Sequence, residues 1–290
     1  MIPGKFDYLV PQTLAEAVSL LQQHGDGAKI LAGGQSLIPA MRFRLAVPEI
    51  LIDINRIEGL SYIREENGHL AIGAMTREAE IDESTLIKQK YILLADTARV
   101  IADPLVRNMA TVGGNLAHAD PANDHPATML ALGAQIVATG PKGERTMPID
   151  SFFVDAFQTA LQPDEILTEI RVPVPKARSG GAYVKLERKV GDFAIAGAAA
   201  QVTLDDRGNV KDVGIGLTNV GLTAIKAKKA EAFLVGKKAD EATLKQASEL
   251  AASEAEPASD LRGSEEYKRA MIRVLTFRAL KKAVERAQAR

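Results

Sequence analysis

Lys29-Ile30-Leu31-Ala32-Gly33-Gly34-Gln35-Ser36-Leu37-Ile38 is the stretch that decides how this chain reads. Lys29 to Ala32 has the length and apolar content of a short buried strand, and Leu37 to Leu45 has a helical pattern. Ala32-Gly33-Gly34-Gln35-Ser36 therefore sits where a strand hands over to a helix. Paired glycines let backbone N–H groups approach a ligand with no Cβ between them, and consecutive N–H groups in a turn make a concave nest for an anion. Helix N-termini favour anions as well.

A second stretch, Thr111-Val112-Gly113-Gly114-Asn115, has the same make-up: an apolar approach, two glycines and a small hydrogen-bonding side chain at the end. One Gly-Gly pair is usually a tight turn. Two of them, each between apolar elements, predict a pyrophosphate held from both sides, the shape of a dinucleotide cofactor. Gly33-Gly34-Gln35-Ser36-Leu37-Ile38 does not fit the Gly-x-Gly-x-x-Gly of a Rossmann fold, and no Gly-Lys-Ser/Thr triplet marks a P-loop. The clamp belongs to another nucleotide-binding class.

Outward from the first glycine pair, Thr13 and Glu16 predict a capping box. Leu14, Ala17, Val18 and Leu21 make an i, i+3, i+4, i+7 face, and Gly25 ends that helix. Ile50 to Ile54 and His69 to Gly73 read as strands, and Leu86 to Ile101 as a helix ending at Asp103-Pro104. Ala134 to Ala138 and Arg145 to Ile149 read as a hairpin turning at Gly140-Pro141-Lys142-Gly143, and Ile166 to Val172 as a further strand. Pro173 to Gly181 breaks the pattern and predicts a domain boundary.

Beyond it, Tyr183 to Arg188, Ala194 to Leu204 and Val210 to Leu217 predict an antiparallel sheet, with Arg207-Gly208-Asn209 turning between the last two. Helices follow over Lys228 to Leu234, Asp240 to Ser253 and Ser264 to Gln288. The last of these presents Tyr267, Ala270, Met271, Val274, Phe277, Leu280 and Val284 on one face.

Composition narrows the chemistry. The 290 residues are 46% hydrophobic and 25% charged with a net charge of −1, which gives no electrostatic case for nucleic acid or an anionic membrane. The chain has no cysteine, so disulfides, thiolate nucleophiles and cysteine-ligated zinc or iron-sulfur sites are excluded within it. Any redox chemistry needs a bound organic cofactor. No apolar stretch approaches the roughly 20 residues of a membrane span, and Met1-Ile2-Pro3-Gly4-Lys5-Phe6-Asp7 lacks the pattern of a signal peptide. The expected location is cytoplasmic.

His118-Ala119-Asp120-Pro121-Ala122-Asn123-Asp124-His125 packs two imidazoles and two carboxylates into a short span. Pro121 within it and Pro126 directly after it forbid a regular element that would aim them together, so a capped turn is expected rather than a metal site. Asp124 or Asn123 is then a candidate to hydrogen-bond a polar ligand beside Gly113-Gly114. Lys185-Leu186-Glu187-Arg188-Lys189-Val190-Gly191-Asp192-Phe193 is a charged strand end, a turn and an aromatic: either a solvated edge with one core Phe, or Lys185 at a phosphate or ring carbonyl and Phe193 over a planar cofactor. No nucleophile elbow or triad is visible.

With these residues in view, the chain resembles the FAD-binding medium subunits of molybdenum-containing hydroxylases of the carbon monoxide dehydrogenase type. The resemblance runs from Ile2-Pro3-Gly4 to the last helix, most specifically over Ala32 to Pro39, Ile101 to Asp124 and Lys185 to Ala194. It implies an α+β fold: a vanillyl-alcohol-oxidase-type FAD-binding domain of two α/β subdomains, then a C-terminal domain with a three-stranded antiparallel sheet and a helical bundle. The corresponding limits are 1–176, with subdomains of about 1–55 and 56–176, and 177–290.

The resemblance makes Ala32, Gly33, Gly34, Gln35 and Ser36 one FAD-contacting loop and Thr111, Val112, Gly113, Gly114 and Asn115 the other. Asp124, Leu167 and Lys185 match cofactor-contacting positions, and Ile101 matches an apolar residue packed on the flavin ring. Phe193 falls where relatives place a mobile tyrosine, and Gln35 where the loop often carries histidine.

It also implies non-covalent FAD with no catalytic acid, base or nucleophile on this chain. Electrons would come from iron-sulfur clusters in a small subunit, fed by a molybdenum cofactor in a large subunit, and pass to a quinone or other acceptor. The implied assembly is a dimer of heterotrimers, acting in the cytoplasm or at the inner face of the membrane. Relatives oxidising aldehydes or N-heterocycles share the pattern. Two other readings stay open: a stand-alone FAD reductase or oxidase such as the cell-wall precursor reductase, which needs its own proton donor, and a non-catalytic nucleotide-binding module.

Overall fold

The computed structural model describes residues 2–290. The chain begins with three parallel strands and two helices: β1 (Asp7–Leu9), α1 (Leu14–His24), β2 (Ala28–Leu31), α2 (Leu37–Arg42) and β3 (Ile50–Asp53), in sheet order β1-β3-β2. Thr13 caps α1 by accepting from the Glu16 N–H at 3.2 Å, but the Glu16 carboxylate accepts from the Gln12 N–H at 2.8 Å. The expected box is thus closed one residue early. Ala17, Val18 and Leu21 are buried against Ile52 and Ile54. β2 runs straight into the first glycine loop, which lies at the carboxyl end of the parallel strands, the usual place for a ligand in an open sheet.

A second layer follows: β4 (Ile63–Glu66), β5 (His69–Gly73), α3 (Glu78–Glu83), α4 (Thr85–Lys90), α5 (Ile92–Val100), α6 (Pro104–Arg107), α7 (Val112–His118), α8 (Asp124–Leu132), β6 (Gln135–Gly140), β7 (Gly143–Pro148), β8 (Phe153–Asp155), β9 (Gln158–Thr159) and β10 (Ile166–Pro173). Five of these strands form an antiparallel sheet in the order β4-β5-β10-β6-β7, and β8 and β9 pair as a separate ribbon. The helix expected over Leu86 to Ile101 is two helices broken at Tyr91, which ends α4 and starts α5. The Tyr91 ring is buried and its hydroxyl donates to Glu65 at 2.6 Å, so tertiary packing overrides the helical period there.

The third layer is a sheet of β11 (Ser179–Leu186), β12 (Ala196–Leu204), β13 (Val210–Thr218) and β14 (Ile225–Lys226), in that order, covered by α9 (Lys228–Leu234), α10 (Glu241–Glu254) and α11 (Glu265–Gln288). The sheet has four strands rather than three, because the two-residue β14 pairs with Gly216 and Leu217 of β13. β11 also begins inside the stretch read as a break. Gly180 is a packing position: a Cβ there would stand 2.2 Å from the Ala283 carbonyl of α11.

The same contact explains which face α11 buries. The buried residues include Ile272, Leu275, Thr276, Ala279, Ala283 and Ala287, so the helix presents small residues to the sheet; of the expected face Leu280 and Val284 are buried with them and Tyr267 lies exposed. The fold is α+β as expected, with the middle layer joined to the third through α5 and α8, which pack on β11, β12 and β13.

Candidate functional site

The two glycine motifs meet. A Cβ on Gly33 would stand 2.3 Å from the Met109 carbonyl oxygen and 2.8 Å from the Ala110 Cα, and one on Gly114 would lie 3.8 Å from the Ala32 Cβ. Arg77, which the sequence did not single out, holds them together: its guanidinium donates to the Met109 carbonyl and, at 2.7 Å, to Asn55 Oδ1. Asn55 in turn donates to the Ala32 carbonyl at 2.9 Å. Neither residue carries a local motif that would reveal it.

The two motifs are chemically different. Gly34 has φ +73°, a left-handed conformation suited to glycine, and the N–H groups of Gly34, Gln35 and Ser36 have no acceptor among the described residues. Three consecutive N–H groups are thus left without an acceptor, which is what an anion nest would require. Gln35 is exposed.

The second motif is the first turn of α7 rather than a loop, and its donors are occupied. Val112 and Gly113 donate to the Thr76 and Ala74 carbonyls, and Gly114 donates to the Thr111 hydroxyl that caps the helix. Gly113 serves packing, since a Cβ there would stand 2.5 Å from the Ala74 Cβ. What this wall offers a ligand is the bare Gly114 backbone and Asn115 Oδ1, a buried acceptor with no partner.

A third wall is polar. Asp124, the first residue of α8, is buried; it accepts from the Tyr183 hydroxyl at 2.6 Å and from Lys185 Nζ at 2.9 Å. Lys185 also donates to the Val100 carbonyl, beside the buried Ile101, and approaches Glu187 at 3.4 Å. Tyr183, Lys185 and Glu187 alternate along one face of β11 and its extension. Burial pushes the Asp124 carboxyl up, against the opposing pull of Lys185 and Tyr183. Burial first, and then Asp124, pushes the Tyr183 hydroxyl well up. Tyr183 was missed because a tyrosine inside an apolar strand reads as core.

Gly191 brings the loop after β11 onto this wall: a Cβ there would meet the Ala102 backbone at 2.8 Å. Phe193, half exposed, follows in that loop and lies under the Arg262 guanidinium at 5.7 Å. Asn123 joins the walls by donating to the Asn115 carbonyl at 2.9 Å. Leu167 sits apart from these polar groups, in the core with Val112 and Leu116.

The histidines of the 118–125 span diverge. His118 packs on Phe157, while His125 bonds Glu78 at 2.8 Å inside the protein. α8 begins at Asp124 despite Pro126, because a proline in the first turn of a helix costs no hydrogen bond. Among the described residues no group of three or more His, Cys, Asp or Glu is arranged to hold a metal, and no helix is long and apolar enough to cross a membrane.

Free N–H groups on one motif and an unpartnered buried acceptor on the motif packed against it fit a ligand with an anionic centre and donor groups close by. That donor set suits the pyrophosphate and hydroxyls of FAD. Residues 4–175 match the family model described as the FAD binding domain in molybdopterin dehydrogenase, and residues 181–283 match the CO dehydrogenase flavoprotein C-terminal domain. The chain belongs to this family of FAD-binding flavoprotein subunits.

Within the family, it is 46% identical to the carbon monoxide dehydrogenase medium chain of Hydrogenophaga pseudoflava, over 98% of both chains. It is 40% identical to the 6-hydroxypseudooxynicotine dehydrogenase complex subunit alpha of Paenarthrobacter nicotinovorans, over 99% of this chain and 97% of that one. A solved structure of the Hydrogenophaga pseudoflava carbon monoxide dehydrogenase, in a form lacking the Mo-pyranopterin moiety of its cofactor, superposes with a TM-score of 0.96 at 48% identity, covering 99% of each chain.

Proposed function

We propose that this chain is the electron-transfer subunit of a carbon monoxide dehydrogenase-type molybdenum hydroxylase, with FAD bound across the two glycine motifs. In this reading the Gly34–Ser36 N–H nest takes the pyrophosphate, Ala32 and Gly33 set the loop, and Thr111 to Asn115 form the opposite wall. Ile101, Asp124 and Phe193 lie at the flavin ring, and Lys185 and Leu167 touch the cofactor from the C-terminal half, Leu167 from the core side. The observation that carries the reading is that the free N–H groups of Gly34–Ser36 and the unpartnered Asn115 Oδ1 belong to two motifs that pack together, an ideal Cβ on Gly114 lying 3.8 Å from the Ala32 Cβ.

FAD supplies the one- and two-electron chemistry, while the chain binds and orients it and sets the charge around it. Lys185 and Asp124 fix a buried charge pair at one wall; the loop of Gly191 to Phe193 packs beside it, on the Ala102 backbone. Electrons enter from an iron-sulfur subunit, whose clusters this cysteine-free chain has no means to ligate. They originate at a molybdenum centre in a large subunit and leave to a quinone or other acceptor. The assembly is a dimer of heterotrimers in the cytoplasm. The division into 1–176 and 177–290 is supported by the gap between the two family matches at 175 and 181.

The test is to co-produce the chain with its large and small subunits and add carbon monoxide anaerobically. Bleaching of the flavin absorbance supports the assignment. Bleaching by an aldehyde or N-heterocycle and not by carbon monoxide keeps the subunit role and changes the substrate. Substrate turnover by the chain alone instead supports a stand-alone enzyme.

A further inference from the structure

Glu78 and His125 are both 0% exposed, and the proposed electron route uses neither. His125 Nε2 lies 2.8 Å from Glu78 Oε2, while Glu78 Oε1 and His125 Nδ1 are buried with no partner. A half-satisfied buried polar pair is costly, and an apolar pair of similar volume is often as stable or more so. Its retention here calls for a reason other than stability.

The position of the pair supplies one. Residues 74 to 78 back the second glycine motif one by one: Gly113 donates to Ala74, Val112 to Thr76, and Glu78 donates through its own N–H to Ala110, with Arg77 and Thr111 bridged between them. On the other side of the pair, His125 directly follows Asp124 in the first turn of α8. The Glu78–His125 bond is therefore an interior tie between the 74–78 segment, against which the motif of Gly114 and Asn115 is hydrogen-bonded, and the helix that carries Asp124. A directional hydrogen bond sets a distance, whereas an apolar contact tolerates sliding.

We infer that Glu78 and His125 are positioning residues of the FAD site, fixing the second glycine motif relative to Asp124 without touching the ligand. The inference rests on the reading that FAD spans both elements.

The test compares E78Q, which keeps a hydrogen-bonding side chain, and E78M, which strands His125, with the double variant E78M/H125L, which replaces both polar groups by apolar ones. Thermal melting, FAD affinity and the visible circular dichroism of bound FAD are measured on the full chain, assembled with its partner subunits where these are needed for flavin retention. The double variant is expected to be folded and no less stable than E78M, yet to bind FAD about tenfold more weakly with an altered visible spectrum; E78Q stays close to wild type in both. Wild-type affinity and spectrum in the double variant overturn the inference, as does a loss in E78Q equal to that of the double. If the double variant does not fold, H125Q and H125M make the same comparison, with H125Q expected to retain affinity and spectrum and H125M to lose them; equal behaviour of the two overturns it. Failure of the wild-type chain to bind FAD counts against the underlying reading instead.

Discussion

Lys185 and Asp124 form an ion pair 2.9 Å long between side chains that are only 3% and 6% exposed. The pair joins β11 of the third layer to α8 of the second, so one contact both closes the fold and sets the charge of the candidate cofactor wall. Buried ion pairs contribute little net stability while whole, yet breaking one leaves a charge without compensation.

Lys185→Met should therefore destabilise the chain by about 3–5 kcal/mol, read by denaturant unfolding. Adding Asp124→Asn to Lys185→Met should recover part of that loss, because no buried carboxylate then remains unpaired. A double variant that is no more stable than Lys185→Met would contradict the pairing.

Tyr183→Phe removes a donor to Asp124 and a bond to Thr218 but leaves Lys185 in place. The expected cost is about 1.5–3 kcal/mol, smaller than that of Lys185→Met. The same unfolding assay checks the order of the two.

The two glycines of α7 should separate fold from binding. Gly113→Ala drives a Cβ into Ala74 and should cost about 1–3 kcal/mol in stability. Gly114→Ala meets only the Thr111 hydroxyl at close range and should cost no more than the cap, about 1 kcal/mol, while lowering flavin retention. Melting curves and flavin-to-protein ratios of the two variants test the split.

The loop that carries Phe193 should respond to acid. Arg188, by its hydrogen bond, holds the Asp192 carboxyl below its usual range, and the carboxylate also accepts from the Phe193 N–H at 2.9 Å. A lowered acid contributes stability above its unfolded pKa, and loses it as pH falls through the folded value. The loop should thus be unchanged from neutral pH down to about 4 and loosen below. Amide exchange at Gly191 to Phe193 should show this, with protection in Asp192→Asn already reduced at pH 7, by up to about fivefold for a partly exposed pair. Equal protection in both proteins would remove Asp192 from the account.

Much of this was legible in the sequence, for local reasons. Leu14 to Gly25, the 134–149 hairpin and the strands of the third layer carry their own periodicity and turns. The loop at Gly33–Ser36 between β2 and α2 was legible because strand, glycine pair and helix stand in one short stretch. Illegible were features that depend on what arrives from elsewhere. Gly113 and Gly180 look like ligand or breaker glycines and are packing glycines, because Ala74 and Ala283 come against them. Tyr91 breaks a helix to reach Glu65, and Arg77, Asn55 and Tyr183 acquire roles only from partners distant in the chain. The face of α11 was legible only in part: Leu280 and Val284 are buried as expected, but the centre of the buried stripe is Ala279, Ala283 and Ala287, because the sheet requires small residues there.

The central claim is that FAD lies across the two glycine motifs. It is tested most directly by the flavin content of the wild-type chain and of Gly114→Val, each confirmed as folded and measured alone and assembled with the partner subunits. The account predicts one FAD per wild-type chain in the assembled protein and a colourless Gly114→Val subunit with its fold intact. A wild-type chain without flavin in the assembly, or a Gly114→Val chain with its full complement, would contradict it.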